Sequence, residues 1–316
     1  MKRVFLFFSL SLLLLFVAGC TTVSSESSEA TVSVFIVEGS SEGPTTVQSQ
    51  GVTIATYDKL QRDSFDLWAD VEKLEVHISG FSYMVSTGPN ESNWATPTNT
   101  DKTVDLMTLS STDIEWFSFD VPKDTVIVGI AFRIDEATAT VGGVEYPVNI
   151  REERKTVTAQ NLNWEIGDSG RIELQLDLTK SVIKFADSYF FAPRFSWQWR
   201  GGLRNLWAIH GDIKLLSSST ESAPTEPLLI ALYTGESTDT TPTIVKMVPV
   251  IKEGEFYLGK YDPGKYTVVV WDDISITVDI SSTDVTFSTF AREATHKTFD
   301  HGKTNAETVL HLTYRN

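Results

Sequence analysis

Phe195, Trp197 and Trp199 alternate with Ser196, Gln198 and Arg200, so a strand through them sets three rings in a row on one face. Exposed, such a row stacks on sugar rings and makes these residues the candidate ligand-binding set. Buried, it contributes roughly a few kcal/mol of core per ring, the commoner fate of large aromatics. Ser169 stands in Gly167-Asp168-Ser169-Gly170. A serine there is a nucleophile only if a histidine base and a buried aspartate are brought to it. Trp164, Ile166, Ile172 and Leu174 flank these four residues as two strands, which predicts a hairpin turn. His296, Asp300, His301 and His311 have a metal-type composition but neither helical nor zinc-finger spacing, so no metal site is assigned. The chain has no Asp-x-Asp-x-Asp-Gly loop, no phosphate-cradling glycine loop before a helix and no His-Glu-x-x-His, and it calls for no cofactor. Paired carboxylates for glycoside hydrolysis leave no local signature in a β protein, because they come from distant strands.

Cys20 is the sole cysteine. Met1-Lys2-Arg3 opens the chain with charge, and Val4 to Phe16 holds only Ser9 and Ser11 as non-apolar residues. That is the pattern of a signal peptide, too short for the roughly 20 apolar residues of a membrane span. Val17-Ala18-Gly19-Cys20 resembles the bacterial lipoprotein signal, with Val17 in the place where leucine is usual. The resemblance implies cleavage before Cys20 and acylation of it. Two or more acyl chains anchor a protein stably, because each buried methylene contributes about 0.8 kcal/mol. The membrane, reached through the lipid on Cys20, is then the first partner. The expected location is the cell envelope, on the outer side of the cytoplasmic membrane or in the outer membrane. No thiol would remain for a disulfide, and the folded part would stand on its hydrophobic cores.

The formal charge is −16, and losing Lys2 and Arg3 with the signal takes it to −18, since no acidic residue precedes Cys20. Such a surface repels nucleic acid and anionic headgroups. Residues 1–19 read as signal peptide and 20–30 as a Ser/Glu-rich flexible tether. Residues 31–216 then form a first domain, 217–227 a proline-stiffened linker and 228–316 a second domain. Glu38 to Gln50 reads as a loop, and Asp58 to Asp70 is the one stretch with roughly helical spacing.

Elsewhere the apolar period is two. Ile172, Leu174, Leu176 and Leu178 face one way, and Glu173, Gln175 and Asp177 the other. Val126 to Ile134 is a further strand. Leu74, Val76 and Ile78 are out of phase with Leu67, Ala69 and Val71, which predicts a bulge at Glu72-Lys73. Beyond the linker, short strands recur over Leu228–Tyr233, Thr243–Ile251, Glu255–Leu258, Lys265–Trp271, Ile274–Ile280, Val285–Phe290 and Thr308–Tyr314, the spacing of a β-sandwich.

Gly254 to Val270, with Pro263-Gly264-Lys265-Tyr266 at its centre, resembles the transthyretin-like, carboxypeptidase-regulatory and collagen-adhesin repeat modules. The resemblance implies a Greek-key sandwich with a tight turn at Pro263-Gly264, the glycine at positive φ, and Tyr266 packed inside. Such modules sometimes carry a Lys–Asn cross-link from the first strand, but Leu228 to Tyr233 contains no lysine. Val71 to His77, Trp94, Val104 to Leu109, Phe119 to Pro122 and Leu174 to Ser181 resemble a family of bacterial lipoprotein domains of unknown function. That family has no catalytic residues to transfer. Gly167 to Gly170 resembles the nucleophile loop of chymotrypsin-like proteases, yet Arg171 replaces the expected third glycine and no histidine stands in a matching motif.

The expectation is therefore an all-β protein of two β-sandwich domains behind a lipoprotein signal, a non-catalytic structural or ligand-binding module of the cell envelope. A polysaccharide or an envelope protein is the partner class it would take. The alternative is a carbohydrate-binding protein or a carbohydrate-active enzyme with dispersed carboxylates.

Overall fold

A computed structural model describes residues 28–39, 46–49, 52–55, 61–62, 71–88, 91–185, 188–202, 206–226, 228–236, 243–250, 253–280, 285–304 and 307–315. Cys20 and the signal lie outside these residues. So does the stretch considered for a helix, apart from a short strand at Gln61–Arg62.

The chain begins with β1 (Glu29–Glu38), β2 (Thr46–Ser49), β3 (Val52–Ala55), β4 (Gln61–Arg62) and the long β5 (Val71–Gly88). β6 (Glu91–Ala95), β7 (Lys102–Asp105), β8 (Ile114–Pro122) and the long β9 (Thr125–Val141) follow. Then come β10 (Val144–Ile150), β11 (Thr156–Ile166), β12 (Gly170–Leu176), β13 (Val182–Phe185), β14 (Ser188–Phe191) and β15 (Phe195–Gly201). The last part is β16 (Trp207–Ser217), β17 (Thr220–Ser222), β18 (Leu228–Thr234), β19 (Thr243–Val250) and β20 (Glu255–Tyr261), then β21 (Gly264–Ile280), β22 (Val285–His301) and β23 (Thr308–Tyr314).

These strands make two sandwiches. In the first lobe the sheet β15-β12-β1-β8 faces a sheet ordered β13-β14-β10-β9-β5-β6, with β11 on β9 and β7 on β5. Val32, Val34 and Ile36 of β1 and Ile172, Leu174 and Leu176 of β12 share one buried core with Ile78, Ile130, Phe132 and Ile134. Full burial of each such side chain stabilises the fold by roughly 1.5–3 kcal/mol. The bulge stands where the phase slip put it, between Val71 and Lys73 in the register of β5 with β9. Asp105 secures that region, its Oδ1 accepting from the N–H groups of Leu74 and Met107, each at 3.0 Å. In the second lobe β17-β16-β20, with β23 on β16, faces β19-β18-β21-β22-β3-β2, with β4 on β21. Ile209, Ile213, Leu258 and Leu312 meet Ile230, Leu232, Val268 and Val270 in its core.

Three expectations change. Gly167 to Gly170 is no hairpin, because β11 pairs with β9 while β12 pairs with β1 and β15. The four residues carry the chain from one sheet to the other, and Ser169 Oγ accepts from Thr31 N–H at 3.0 Å. The stretch read as a loop after Glu38 contributes β2, and β2–β4 belong to the second lobe. Finally, the junction does not fall at 217–227. β16 pairs with β20 and β23, and β17 folds back on β16, so the chain enters the second lobe ahead of Trp207.

This interleaving predicts how a nicked chain behaves. A protease site placed between Ser222 and Pro224 should be cut without separating the fragments, because β16 stays paired to strands of the other fragment on both sides. Native size-exclusion chromatography should give one peak of unchanged volume. Two separated fragments would show that the strand pairing around β16 is wrong.

Candidate functional site

The outer face of the β1/β12/β15 sheet is polar and lies under the second lobe. Across it, Arg171 is paired in register with Ser33 and Arg200, and Glu173 with Phe35 and Gln198. Alternation along β12 therefore aims Arg171, Glu173 and Gln175 away from the first core. Glu173 is nevertheless only 3% exposed, Lys246 of the second lobe 5% and Glu38 1%. Arg171 Nη2 donates to Asp113 Oδ2 at 2.8 Å and lies 2.7 Å from Glu173 Oε1. Arg200 Nε sits 3.0 Å from Glu173 Oε2 without the alignment of a hydrogen bond, and its Nη1 donates across the junction to the Lys260 carbonyl at 3.3 Å. The Arg171 guanidinium also covers the Phe35 ring, 4.3 Å from its centroid.

Lys246 enters from β19 over the end of β1. A Cβ on Gly39 would fall 2.6 Å from Lys246 Cγ and 2.7 Å from Cε, and Gly39 has φ +139°. Glycine thus leaves the groove in which the lysine stem lies. Burial pushes the Glu38 carboxyl up to about 8, against the pull of Lys246 and with a further push from Asp177. Both Glu38 oxygens are buried without a hydrogen bond. Burial likewise pushes the Lys246 ammonium down, with Asp113, Glu38 and Glu173 opposing. Burial thus favours the neutral form of each, and the two differ in their surroundings: nothing donates to the Glu38 carboxylate, whereas Lys246 faces Asp113 and Glu173. Burial also works against the Arg171 charge, but Glu173 and Asp113 more than offset it. The Tyr261 phenol, raised by burial, donates to the Leu258 carbonyl at 2.8 Å.

A second, apolar contact joins the lobes. Leu229, Ala231, Met247 and Trp271 on the outer face of the second lobe pack with Phe190 and Ala192 of the first.

The residues singled out in the sequence are distributed as follows. Phe195, Trp197 and Trp199 stand opposite Leu176, Leu174 and Ile172 and pack against the first core as partly buried side chains. Phe195 meets Phe132 edge to face at 5.2 Å. The row closes the open side of the sandwich: Phe195 and Trp197 line a cleft of about 420 Å3 with Arg154 and Asp177, and Trp199 reaches another at the opposite end. That cleft, about 620 Å3, lies between the lobes with Trp199, Gln198 and Arg200 on one side and Lys260, Tyr261 and Asp262 on the other. The histidines do not converge. His301 is buried, its Nδ1 2.7 Å from Thr308 Oγ1 and its Nε2 near the carbonyls of Trp207 and Tyr261, and burial lowers its pKa. His296 pairs with Glu293 and His311 with Asp212.

Reading the sequence missed Glu38, Lys246 and the arginine–carboxylate network. Two signals were available: Lys246 is a lone charge between Val245 and Met247, and Glu38 ends the apolar run of β1.

No protein family and no curated protein matches the chain. Among solved structures, it is similar to GBS52, the minor pilin of Streptococcus agalactiae, at 9% identity and a TM-score of 0.21, covering 91% of this chain and 96% of that one. Among the described residues no helix is long and apolar enough to cross a membrane.

Proposed function

We propose that this chain is a lipid-anchored protein of the cell envelope, held by Cys20, whose two sandwiches serve together as one non-catalytic structural module. The observation that supports the structural role is the charged network closed between the lobes. Asp113 and Glu173, two carboxylates of it, are both engaged by Arg171, with side chains 7% and 4% exposed. Groups so buried and so paired are suited to fixing two lobes against each other rather than to handling a proton at a substrate. Val17 to Cys20 and the apolar stretch before them support the anchor, and the acidic composition supports attachment through lipid rather than through a basic patch.

Metabolic labelling with a fatty-acid analogue tests the anchor. Cys20→Ser should accumulate as unprocessed, unlabelled precursor while the wild type is labelled. Equal labelling of both would remove the lipoprotein reading.

A further inference from the structure

We propose that Glu38 takes up a proton as the two lobes close on each other, which makes their junction an acid-tightened latch, firm in mildly acidic surroundings and looser toward alkaline ones.

The end of β1 is a place where the lobes interlock. Gly39, next to Glu38, donates its N–H to the Leu176 carbonyl at 3.1 Å, which fixes this end to β12 of the first lobe. Over Gly39 lies the stem of Lys246 from β19 of the second lobe, so close that a Cβ on Gly39 would fall 2.6 Å from Lys246 Cγ. The void beside the lysine is about 10 Å3, roughly the least that holds a single water. Opening the lobes withdraws the lysine and lets water reach the end of β1.

The three carboxylates that favour the Lys246 charge differ in what meets them. Glu173 has Arg171 at 2.7 Å and Arg200 at 3.0 Å, and Asp113 accepts from Arg171 at 2.8 Å. Glu38 is as deeply buried, and among the described residues neither of its oxygens has a hydrogen bond. An ionised carboxylate so placed is costly, and a proton removes the cost. Two charges bear on it. Lys246 of β19 opposes the proton, and Asp177, just past β12, favours it. Burial outweighs the lysine and pushes the carboxyl up to about 8.

Lys246 stays the cation of the pair. Burial and Arg171 oppose its charge, and Arg200 and Lys260 line the same void, but Asp113 and Glu173 remain as its counterions once Glu38 is neutral. The proton on Glu38 is thus additional to the one on the lysine. Because closure raises its proton affinity, Glu38 contributes stability that is complete below its ordinary value of 4.5 and is lost as pH rises through about 8. Lys246, shifted down, acts with the opposite sign, and its contribution returns as pH climbs toward the ordinary 10.5.

Hydrogen exchange of the full-length, detergent-solubilised protein, read by mass spectrometry from pH 5.5 to 8 and corrected for intrinsic exchange, follows the opening. Peptides from β19 and the end of β1 should open more readily as pH rises, by up to about tenfold per unit, while peptides from the middle of β9 should not. Glu38→Gln is neutral at every pH and close in size. It should remove the slope and hold the junction at pH 8 as firmly as the wild type is held at pH 5.5. Lys246→Met should keep the direction of the slope, because the acid that titrates is still present. A flat profile in the wild type, a slope retained in Glu38→Gln, or a slope of opposite sign, which would mean that the lysine gives up its proton on closing, would each overturn the proposal. The latch rests on the two sandwiches acting as one module. Failure of that reading would show as fast exchange at β19 at every pH, a result distinct from a protected junction without a slope.

Discussion

Arg171→Met should destabilise the folded chain by about 3–5 kcal/mol, the range for removing one partner of a buried ion pair. The reason lies in what remains. Asp113 and Glu173 have side chains 7% and 4% exposed, and Arg171 Nη2 touches both, at 2.8 and 2.7 Å. Methionine matches much of the arginine stem in volume, so packing against Phe35 is largely kept while the charge is lost. The two carboxylates would then share Arg200, whose Nε contact with Glu173 is poorly aligned, and Lys246, whose own charge is opposed by burial. The cost is thus the stranded negative charge rather than the value of the original pair. A triple variant separates the two. Adding Asp113→Asn and Glu173→Gln to Arg171→Met should recover a large part of the loss, because neutral amides are cheaper to bury than unpaired carboxylates. Urea unfolding of the full chain gives both numbers. A loss below about 1 kcal/mol for Arg171→Met would mean that solvent reaches the network and the lobes do not close over it.

The same network shows what the sequence could and could not reveal. Alternation along β12 correctly separates Ile172, Leu174 and Leu176 from Arg171, Glu173 and Gln175, because the pleat alone decides it. Whether water or another lobe covers the polar side is a tertiary fact with no period. That is why Glu173 reads as exposed and is buried. The hairpin expected at Gly167 to Gly170 fails for a related reason. Strands adjacent in sequence usually pair, but β12 instead lies parallel to β1, whose residues precede it by well over a hundred positions. The linker misleads through composition. Ser217 to Pro227 is polar and proline-bearing as spacers are, yet Thr220–Ser222 is a short return strand, and polarity there reflects only an exposed edge. The aromatic row was legible as a row, and its burial followed from register with Ile172, Leu174 and Leu176, which no single strand contains.

Tyr266→Ala should cost about 3–5 kcal/mol, the cost of truncating a large aromatic in a core. The ring is 8% exposed and touches three others, with centroids 5.9 Å from Tyr261, 6.2 Å from Phe299 and 5.8 Å from His301. Its hydroxyl donates to the Asp262 carbonyl at 3.0 Å, so Tyr266→Phe, which keeps the ring, should cost only about 1 kcal/mol. Inward packing of Tyr266 is as the resemblance to transthyretin-like modules implies, but the turn beside it is not. Gly264 opens β21 without a positive φ, and the left-handed residue is Gly302, at φ +73°, just beyond the paired strand. A Cβ there would also come within 2.9 Å of Pro263. Strain and contact together place Gly302→Ala at about 1–3 kcal/mol. Gly264→Ala meets only the edge of the Tyr266 ring, at 3.3 Å, and should cost less. The order Tyr266→Ala, Gly302→Ala, Gly264→Ala in falling cost is the measurable signature, read as urea midpoints at constant slope. If Gly264→Ala proved the costlier of the two glycine changes, the left-handed residue would have to sit at the Pro263-Gly264 corner after all. A near-zero effect of Tyr266→Ala would place the whole segment on the surface and remove the inner wall of the second sandwich.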